Sequence, residues 1–280
     1  MKRFVGLIEV TRLEFAEIRR SRWLAMTLIV YGVLVGIFVL VGLRESSVLG
    51  FTGLGRVLLN FSHALIALLP LLALSATVQV VPRAREDGSL ELLMSQPVSR
   101  FDYFAGVALS RMIALIAPLI LLALGMAIFG GPILGGELPW NYLGMMLLAA
   151  STLIIAFVGI GMMISVFGKN QSRSLIYALV VWALGIAFLD FAIVALMLQW
   201  RIEPAAVFTL AVVNPVECAR LLLLSSAEPE LNILGPVGFF LANRLGIGWL
   251  AVIGALWPTC LGFGMMWGAW SQFKRSDLLA

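Results

Sequence analysis

The sequence has 280 residues, of which 61% are hydrophobic and 12% are charged, and its mean hydropathy is +1.04. Several apolar runs exceed the about 18 residues that mark a membrane-spanning helix. This composition excludes a soluble domain and predicts an all-α integral membrane protein. The net charge of +4 needs no nucleic-acid partner, because membrane topology and anionic lipid both favour positive charge on cytoplasmic loops.

Windows of about 20 residues with few charges predict the membrane-spanning helices. Six occur, in chain order Trp23 to Leu43, Asn60 to Val81, Ala105 to Gly130, Asn141 to Phe167, Leu175 to Gln199 and Ile247 to Trp270. Tryptophans lie at or beside several of these ends, where indole rings prefer the headgroup region. We therefore expect six spans in one transmembrane domain over residues 1–280.

The distribution of lysine and arginine predicts the orientation of these spans. Basic residues are frequent before the first span and after the second, fourth and sixth spans, whereas the alternate connections carry few. Since cytoplasmic loops hold the excess of positive charge, both termini and the loop after the second span are expected in the cytoplasm.

Residues 4–20 are predicted to form an amphipathic elbow helix that lies on the membrane before the first span. At about 100° per residue the apolar side chains fall on one stripe, which contains Phe4, Leu7, Ile8, Thr11, Phe15 and Ile18. The alternative is that this segment only supplies anchoring charge ahead of the first span.

The loop of residues 82–103 gathers charge between two apolar runs. The i, i+3, i+4 spacing of Leu90, Leu93 and Met94 predicts a short helix with one apolar face. A solvated linker is the alternative reading, but an apolar face outside the membrane needs a cover. The pattern therefore favours a cytosolic partner that receives these three side chains.

The same loop contains a break between two helices. Pro97 ends the short helix, because the residue before a proline is pushed out of the helical region. Ser99 and Asp102 resemble a capping box that begins the helix leading into the third span. Farther along, residues 200–246 form an extended outer loop in which two proline-initiated stretches are predicted to be interfacial or re-entrant helices.

Chemistry for catalysis is missing from the pattern. The chain has no G-x-x-x-x-G-K-[ST] motif, since Gly168 and Lys169 are followed by Asn170. A single histidine, His63, cannot build a clustered metal site, and the methionine pairs are typical of core packing or lipid contact. The chain is therefore not expected to be an enzyme or to bind a cofactor or metal itself.

Asp190 is an acidic residue within a predicted span. A carboxylate at a helix centre costs about 2.5–3.5 kcal/mol on insertion scales, so it should face the bundle interior or a wet cavity. An internal structural hydrogen bond and a place on a transport path both remain open.

Two glycine pairs have the G-x-x-x-G spacing that permits close helix contact. Gly32 and Gly36 lie in the first span, and Gly264 and Gly268 lie in the sixth. Packing within one subunit and packing between two subunits are both compatible with this spacing.

Taken together, the elbow helix, the six spans, the "REDGSLELLMSQPVSR" loop and the "FKRSDL" ending resemble the ABC-2 type permease family of ABC exporters. The resemblance implies that the loop is the coupling helix that docks on a separate ATPase, which holds the ATP and magnesium. The coupling residues it implies are Glu86, Gly88, Leu90, Glu91, Leu93 and Met94.

Within that family, "GFTGL", "FLDFAIVAL" and "NPVECARLLLL" look most like NosY-type permeases, which serve maturation of the copper enzyme nitrous oxide reductase. That similarity implies a homodimer in the bacterial inner membrane with two ATPase subunits, surrounding membrane lipid and a periplasmic accessory protein. An ABC-2 exporter of a lipid, drug or peptide and a non-transporting membrane scaffold are the alternatives.

Overall fold

The computed structural model describes residues 2–49, 53–134, 140–188, 209, 212–227 and 247–275. Apolar runs with few internal breakers give almost continuous helix in these ranges. The helices are α1 (Lys2–Arg20), α2 (Arg22–Leu49), α3 (Gly53–Thr77), α4 (Val80–Glu86), α5 (Ser89–Met94), α6 (Arg100–Leu134), α7 (Trp140–Phe167), α8 (Gln171–Ala183), α9 (Pro215–Ala227) and α10 (Ile247–Arg275). A π-helical segment, Leu184–Phe188, continues α8.

Four described helices are long and apolar enough to cross a membrane, namely Phe61–Glu86, Arg100–Ile128, Trp140–Phe167 and Gly248–Arg275. They correspond to the second, third, fourth and sixth predicted spans. The first predicted span lies in the bent pair Gly6–Arg20 and Arg22–Ile37, which raises the number to five if the pair is one span. The fifth predicted span continues outside the described residues, and its described part, in Gln171–Ile186, is short. The number six therefore stays a prediction.

The junction of α1 and α2 is a sharp bend of 67°. Ser21 ends α1, because its backbone N–H and its hydroxyl both donate to the Ile18 carbonyl, at 3.0 and 2.7 Å. The side of α1 that is buried against the chain carries Val10, Glu14 and Ile18, whereas Ile8 is exposed. The bend is the geometry expected of an elbow; the position of α1 on a membrane surface stays a prediction.

The centre of the bundle is α7, which packs against α3, α6, α9 and α10. Its closest contact is with α10, where Gly159 and Gly262 bring the two backbones together. A Cβ at Gly159 would lie 2.8 Å from the Gly262 carbonyl carbon, and a Cβ at Gly262 would lie 2.9 Å from Ala156 Cα. Only glycine fits at these positions, because a side chain would meet backbone atoms.

Helix α9, in the loop that is predicted to lie outside, begins at a proline as the sequence predicts. The Asn214 carboxamide oxygen accepts from Val216 N–H at 3.0 Å and its amide group donates to the Gly185 carbonyl at 2.6 Å. The helix buries Leu222 and Leu223 and packs on α7 and α10. The second predicted outer helix lies outside the described residues.

An aromatic cluster joins the start of α6 to the end of α10. Phe101 meets the Trp270 ring edge-on with centroids 5.3 Å apart, and Tyr103 stacks on Phe273 at 6.0 Å. Arg100 Nη1 also donates to the Lys274 carbonyl at 3.0 Å. These contacts place the end of α10 at the same end of the bundle as the α4–α5 loop.

Candidate functional site

The loop between the second and third spans is a helical hairpin turned at Gly88. This glycine has φ 70° and ψ 1°, in the left-handed region that favours glycine. The turn closes with Gly88 N–H donating to the Arg85 carbonyl at 3.3 Å. Asp87 N–H donates to the Arg83 carbonyl at 2.9 Å. Gly88 therefore sets the angle between α4 and α5, which is the role its place in the loop requires.

The short helix α5 turns the face predicted to receive a partner toward the chain's own core. Leu90 is 0% exposed in the chain's own core, and Leu93 and Met94 are half-buried against that core. Within the described chain Leu90 is therefore already covered by the core cluster, whereas Leu93 keeps part of its surface open and lines a cavity. The side chains that α5 presents outward are those of Glu91 and Leu92, and Leu92 is 70% exposed.

Glu86 links the hairpin to the connection between α7 and α8. Its Oε1 accepts from Gln171 N–H at 3.0 Å and its Oε2 accepts from Gln171 Nε2 at 2.6 Å. Asn170 completes the start of α8 by accepting from Arg173 N–H at 2.9 Å. The Glu86 carboxylate therefore sits where the α8 N-terminus favours negative charge, and it holds two loops together.

The predicted break is confirmed, and the predicted capping box forms with one change, since the Asp102 carboxylate binds the Ser99 hydroxyl and not its backbone N–H. Ser95 N–H closes α5 on the Glu91 carbonyl at 3.0 Å, and Pro97 follows outside the helix. Ser99 Oγ donates to Asp102 Oδ2 at 2.6 Å and accepts from Asp102 N–H at 3.0 Å. The pair starts α6 at Arg100, so the loop is helix, break, helix.

A buried ion pair lies beside the hairpin, between α1 and α6. Arg111 Nη2 is 3.1 Å from Glu14 Oε2, and the two side chains are 11% and 7% exposed. Arg111 Nε also donates to the Ala76 carbonyl at 3.1 Å, near the end of α3, where carbonyls lose their helical partners. Arg111 thus ties the elbow, the second span and the third span at one point.

Burial disfavours the charged form of the carboxyl in this ion pair. Burial raises the pKa of the Glu14 carboxyl above its ordinary value; the Arg111 charge opposes the rise and the Glu17 carboxylate adds to it. Arg111 Nη1 is buried and has no partner among the described residues. A charged group in this position is stabilised only while its counter-ion is present.

A cavity of about 390 Å³ opens between α1, the start of α2, the end of α3 and the α4–α5 hairpin. Its charged lining combines acidic and basic side chains from α1, the hairpin and α6, which are Glu14, Glu17, Arg83, Asp87 and Arg111. Apolar walls come from Leu13, Ile18, Trp23, Val80 and Leu93. The indole of Trp23 is fixed by donating to Ser75 Oγ at 3.1 Å.

The remaining predicted site residues fall in different places. Asp190 lies outside the described residues. A methyl group at Gly32, Gly36 or Gly264 would meet nothing within 4 Å of the described chain, whereas one at Gly268 would lie 3.1 Å from Met163 Cε. Gly32, Gly36 and Gly264 therefore do not mediate helix packing among the described residues, whereas Gly159 and Gly262 do so between α7 and α10.

Glu14 and Arg111 were not predicted as site residues, although one signal for them was present. Arg111 is the one charged residue between Ala105 and Gly130 in the third predicted span, and an isolated charge in such a run marks a buried partner.

Among the described residues no group of three or more His, Cys, Asp or Glu side chains is placed to hold a metal ion.

Comparison with known proteins agrees with this architecture. A sequence profile described as "ABC-2 family transporter protein" matches residues 8–239. The probable ABC transporter permease protein NosY of Stutzerimonas stutzeri is 25% identical over 252 residues, covering 87% of this chain and 91% of the relative. The NosY permease of Pseudomonas aeruginosa is 25% identical over 260 residues, covering 89% and 92%. The chain belongs to the ABC-2 family of transporter permeases.

Proposed function

We propose that this permease couples ATP hydrolysis by a separate ATPase to export or to mechanical signalling across the membrane. The observation that carries the proposal is the α4–α5 hairpin, whose outward side combines the exposed Leu92 with charged neighbours. Apolar anchors ringed by polar groups are typical of protein interfaces. The chain itself lacks a P-loop, so the ATP and magnesium belong to the partner.

The docking contact that we propose differs from the one the sequence pattern predicts. Leu90 and Glu86 act within the permease, since Leu90 fills the core and Glu86 binds Gln171. Leu92 is the apolar side chain that α5 offers, and Glu91 lies beside it at the polar rim. Movement of the docked ATPase would reach the membrane helices through this rigidly held hairpin.

Leu92→Asp is expected to weaken docking of the ATPase by about tenfold or more, because burying a leucine contributes about 1.5–3 kcal/mol. Co-purification of the ATPase with the permease, followed by ATP hydrolysis in reconstituted membranes, measures the effect. Glu91→Gln and Leu92→Met are the controls, since the first changes a rim charge and the second keeps an apolar side chain of similar volume. Full co-purification and coupled hydrolysis with Leu92→Asp would remove the docking assignment.

For the biological role, we propose maturation of the copper sites of nitrous oxide reductase. Both curated relatives are named as NosY permeases, and the sequence similarity extends over most of the chain. By analogy the working unit is a homodimer with two ATPase subunits and a periplasmic accessory protein. The open glycine face of α2, with Gly32 and Gly36, offers a surface for close contact with a second copy.

Deletion of the gene in its own bacterium separates this role from general export. We expect nitrous oxide reductase purified from the deletion strain to lack its copper centres while its polypeptide is still made. Metal analysis and the visible spectrum of the enzyme measure the loss, with the complemented strain as the control. A fully copper-loaded enzyme from the deletion strain would instead favour an exporter of a lipid, drug or peptide.

A further inference from the structure

The cavity beside the hairpin reaches the outer surface of the chain at an apolar side chain of α1. Leu13 lines the cavity and is at the same time 55% exposed on α1. Elsewhere on the same two helices, Ile8 on α1 and Met26 and Ile29 on α2 are also large exposed apolar side chains, which in a membrane protein contact the acyl region or the interface. A ligand in this cavity can therefore keep an apolar part in the lipid.

The charges inside the cavity leave one carboxylate over. Arg83 Nε lies 3.4 Å from Asp87 Oδ2, and Arg111 Nη2 lies 3.1 Å from Glu14 Oε2. Among the described residues Glu17 takes part in no ion pair, and it lies close enough to Glu14 to raise the pKa of that carboxyl further. The lining therefore favours a positively charged group near Glu17.

The same lining also offers positive charge for an anionic group, from Arg83 and Arg111. Arg111 lines the cavity and has an Nη1 without a partner in the described chain. The Arg83 side chain is 65% exposed and contacts Asp87 through Nε, which leaves its terminal nitrogens for a ligand. Planar guanidinium groups match phosphate oxygens. The cavity volume of about 390 Å³ also falls within the range of about 300–1,000 Å³ usual for small-ligand pockets.

We propose that this cavity binds the headgroup of a zwitterionic aminophospholipid from the leaflet on which α1 lies. The primary ammonium contacts the Glu17 carboxylate, the phosphodiester faces Arg83 and Arg111, and the acyl chains leave over Leu13. A primary ammonium donates three hydrogen bonds, which a quaternary choline group cannot do. All of these residues belong to the permease, so the site can be tested with the permease alone.

The test measures lipid retained by the purified permease. The wild-type chain is reconstituted in nanodiscs of phosphatidylcholine with phosphatidylethanolamine or phosphatidylglycerol as the minor lipid, then extracted and analysed by native mass spectrometry. We expect phosphatidylethanolamine to be retained in preference to the other two. Glu17→Gln should reduce this retention about tenfold, because it removes one charge-assisted contact.

Glu9→Gln is the matched control, since Glu9 is exposed on the same helix and does not line the cavity. The Glu9→Gln variant should retain lipid as the wild type does.

Soluble phosphoethanolamine added during extraction distinguishes a free headgroup from a whole phospholipid as the ligand. Failure to displace the lipid supports binding of the whole phospholipid. Displacement at low concentration would overturn the lipid assignment. Equal retention of all three lipids, or unchanged retention with Glu17→Gln, would overturn the site. Preferential retention of phosphatidylglycerol would likewise contradict it.

Discussion

Replacing Arg111 by methionine is expected to destabilise the folded permease by about 3–5 kcal/mol, the usual cost of removing one partner from a buried ion pair. The Glu14 carboxylate, 7% exposed, would lose its counter-ion, and the Ala76 carbonyl would lose the donor at 3.1 Å. Methionine fills similar space without charge. Thermal unfolding in detergent, followed by tryptophan fluorescence, measures the change.

The loss with Arg111→Met should depend on pH. Burial already raises the pKa of Glu14, and Arg111 opposes that rise, so removing the arginine raises the pKa in the folded state further. A group whose folded pKa lies above its unfolded value contributes stability below the unfolded pKa and loses it as pH rises through the folded pKa. The deficit should therefore be smaller near about pH 5 than near about pH 8.

The double variant Glu14→Gln with Arg111→Met is the control for charge. It removes both ions together, and an uncharged pair of similar volume is often as stable as a buried ion pair. We expect it to recover much of the stability and to lose the pH dependence of the single variant. A double variant as unstable as Arg111→Met at every pH would show that Arg111 acts by packing and by its bond to Ala76.

The local chemistry of the hairpin region could be predicted from sequence because it depends on near neighbours. Ser99 and Asp102 are three residues apart, and the bond from Asp102 N–H to Ser99 Oγ that caps α6 forms as the spacing indicates. Pro97 likewise ends α5 through its effect on the residue before it. Long apolar runs also predicted four of the described helices that can cross a membrane.

Which face of α5 is covered could not be predicted in the same way. The i, i+3, i+4 spacing correctly groups Leu90 with Leu93 and Met94, but spacing does not say what lies against the group. The chain's own helices cover Leu90 completely, so Leu92 is left outward. The pairing of Glu14 with Arg111 has the same origin, since it arises only when α1 packs on α6.

Glycine spacing was also a weak guide to helix contacts. A G-x-x-x-G pair permits close approach but does not identify the helix that approaches. Gly32, Gly36 and Gly264 face no described atoms within 4 Å, whereas Gly159 and Gly262, which have no such spacing to each other, meet where α7 crosses α10. Crossing points depend on the packing of whole helices, and that information is not local in sequence.

Gly262→Val is expected to prevent close packing of α7 against α10 and to reduce the yield of folded permease severely. A Cβ at this position would contact Ile155 O, would lie 2.7 Å from the Ile155 carbonyl carbon and would lie 2.9 Å from Ala156 Cα. Overpacking that side chains absorb costs about 1–3 kcal/mol. Here backbone atoms stand in the way, so the two helices must separate and lose their contacts along much of their length.

Gly264→Val is the matched control for Gly262→Val, because it lies on the same helix and a Cβ there meets nothing within 4 Å. Gly144→Val serves the same purpose on α7, where the space is also open. Size-exclusion profiles of fluorescently tagged protein and thermal unfolding of the detergent-solubilised monomer measure the difference. The monomer is used because it excludes any effect of Gly264→Val on contact between subunits. Helix propensity cannot explain a difference between Gly262 and Gly264, since both changes replace glycine by valine inside α10. A Gly262→Val variant that folds as well as Gly264→Val would mean that α7 and α10 do not cross at these glycines.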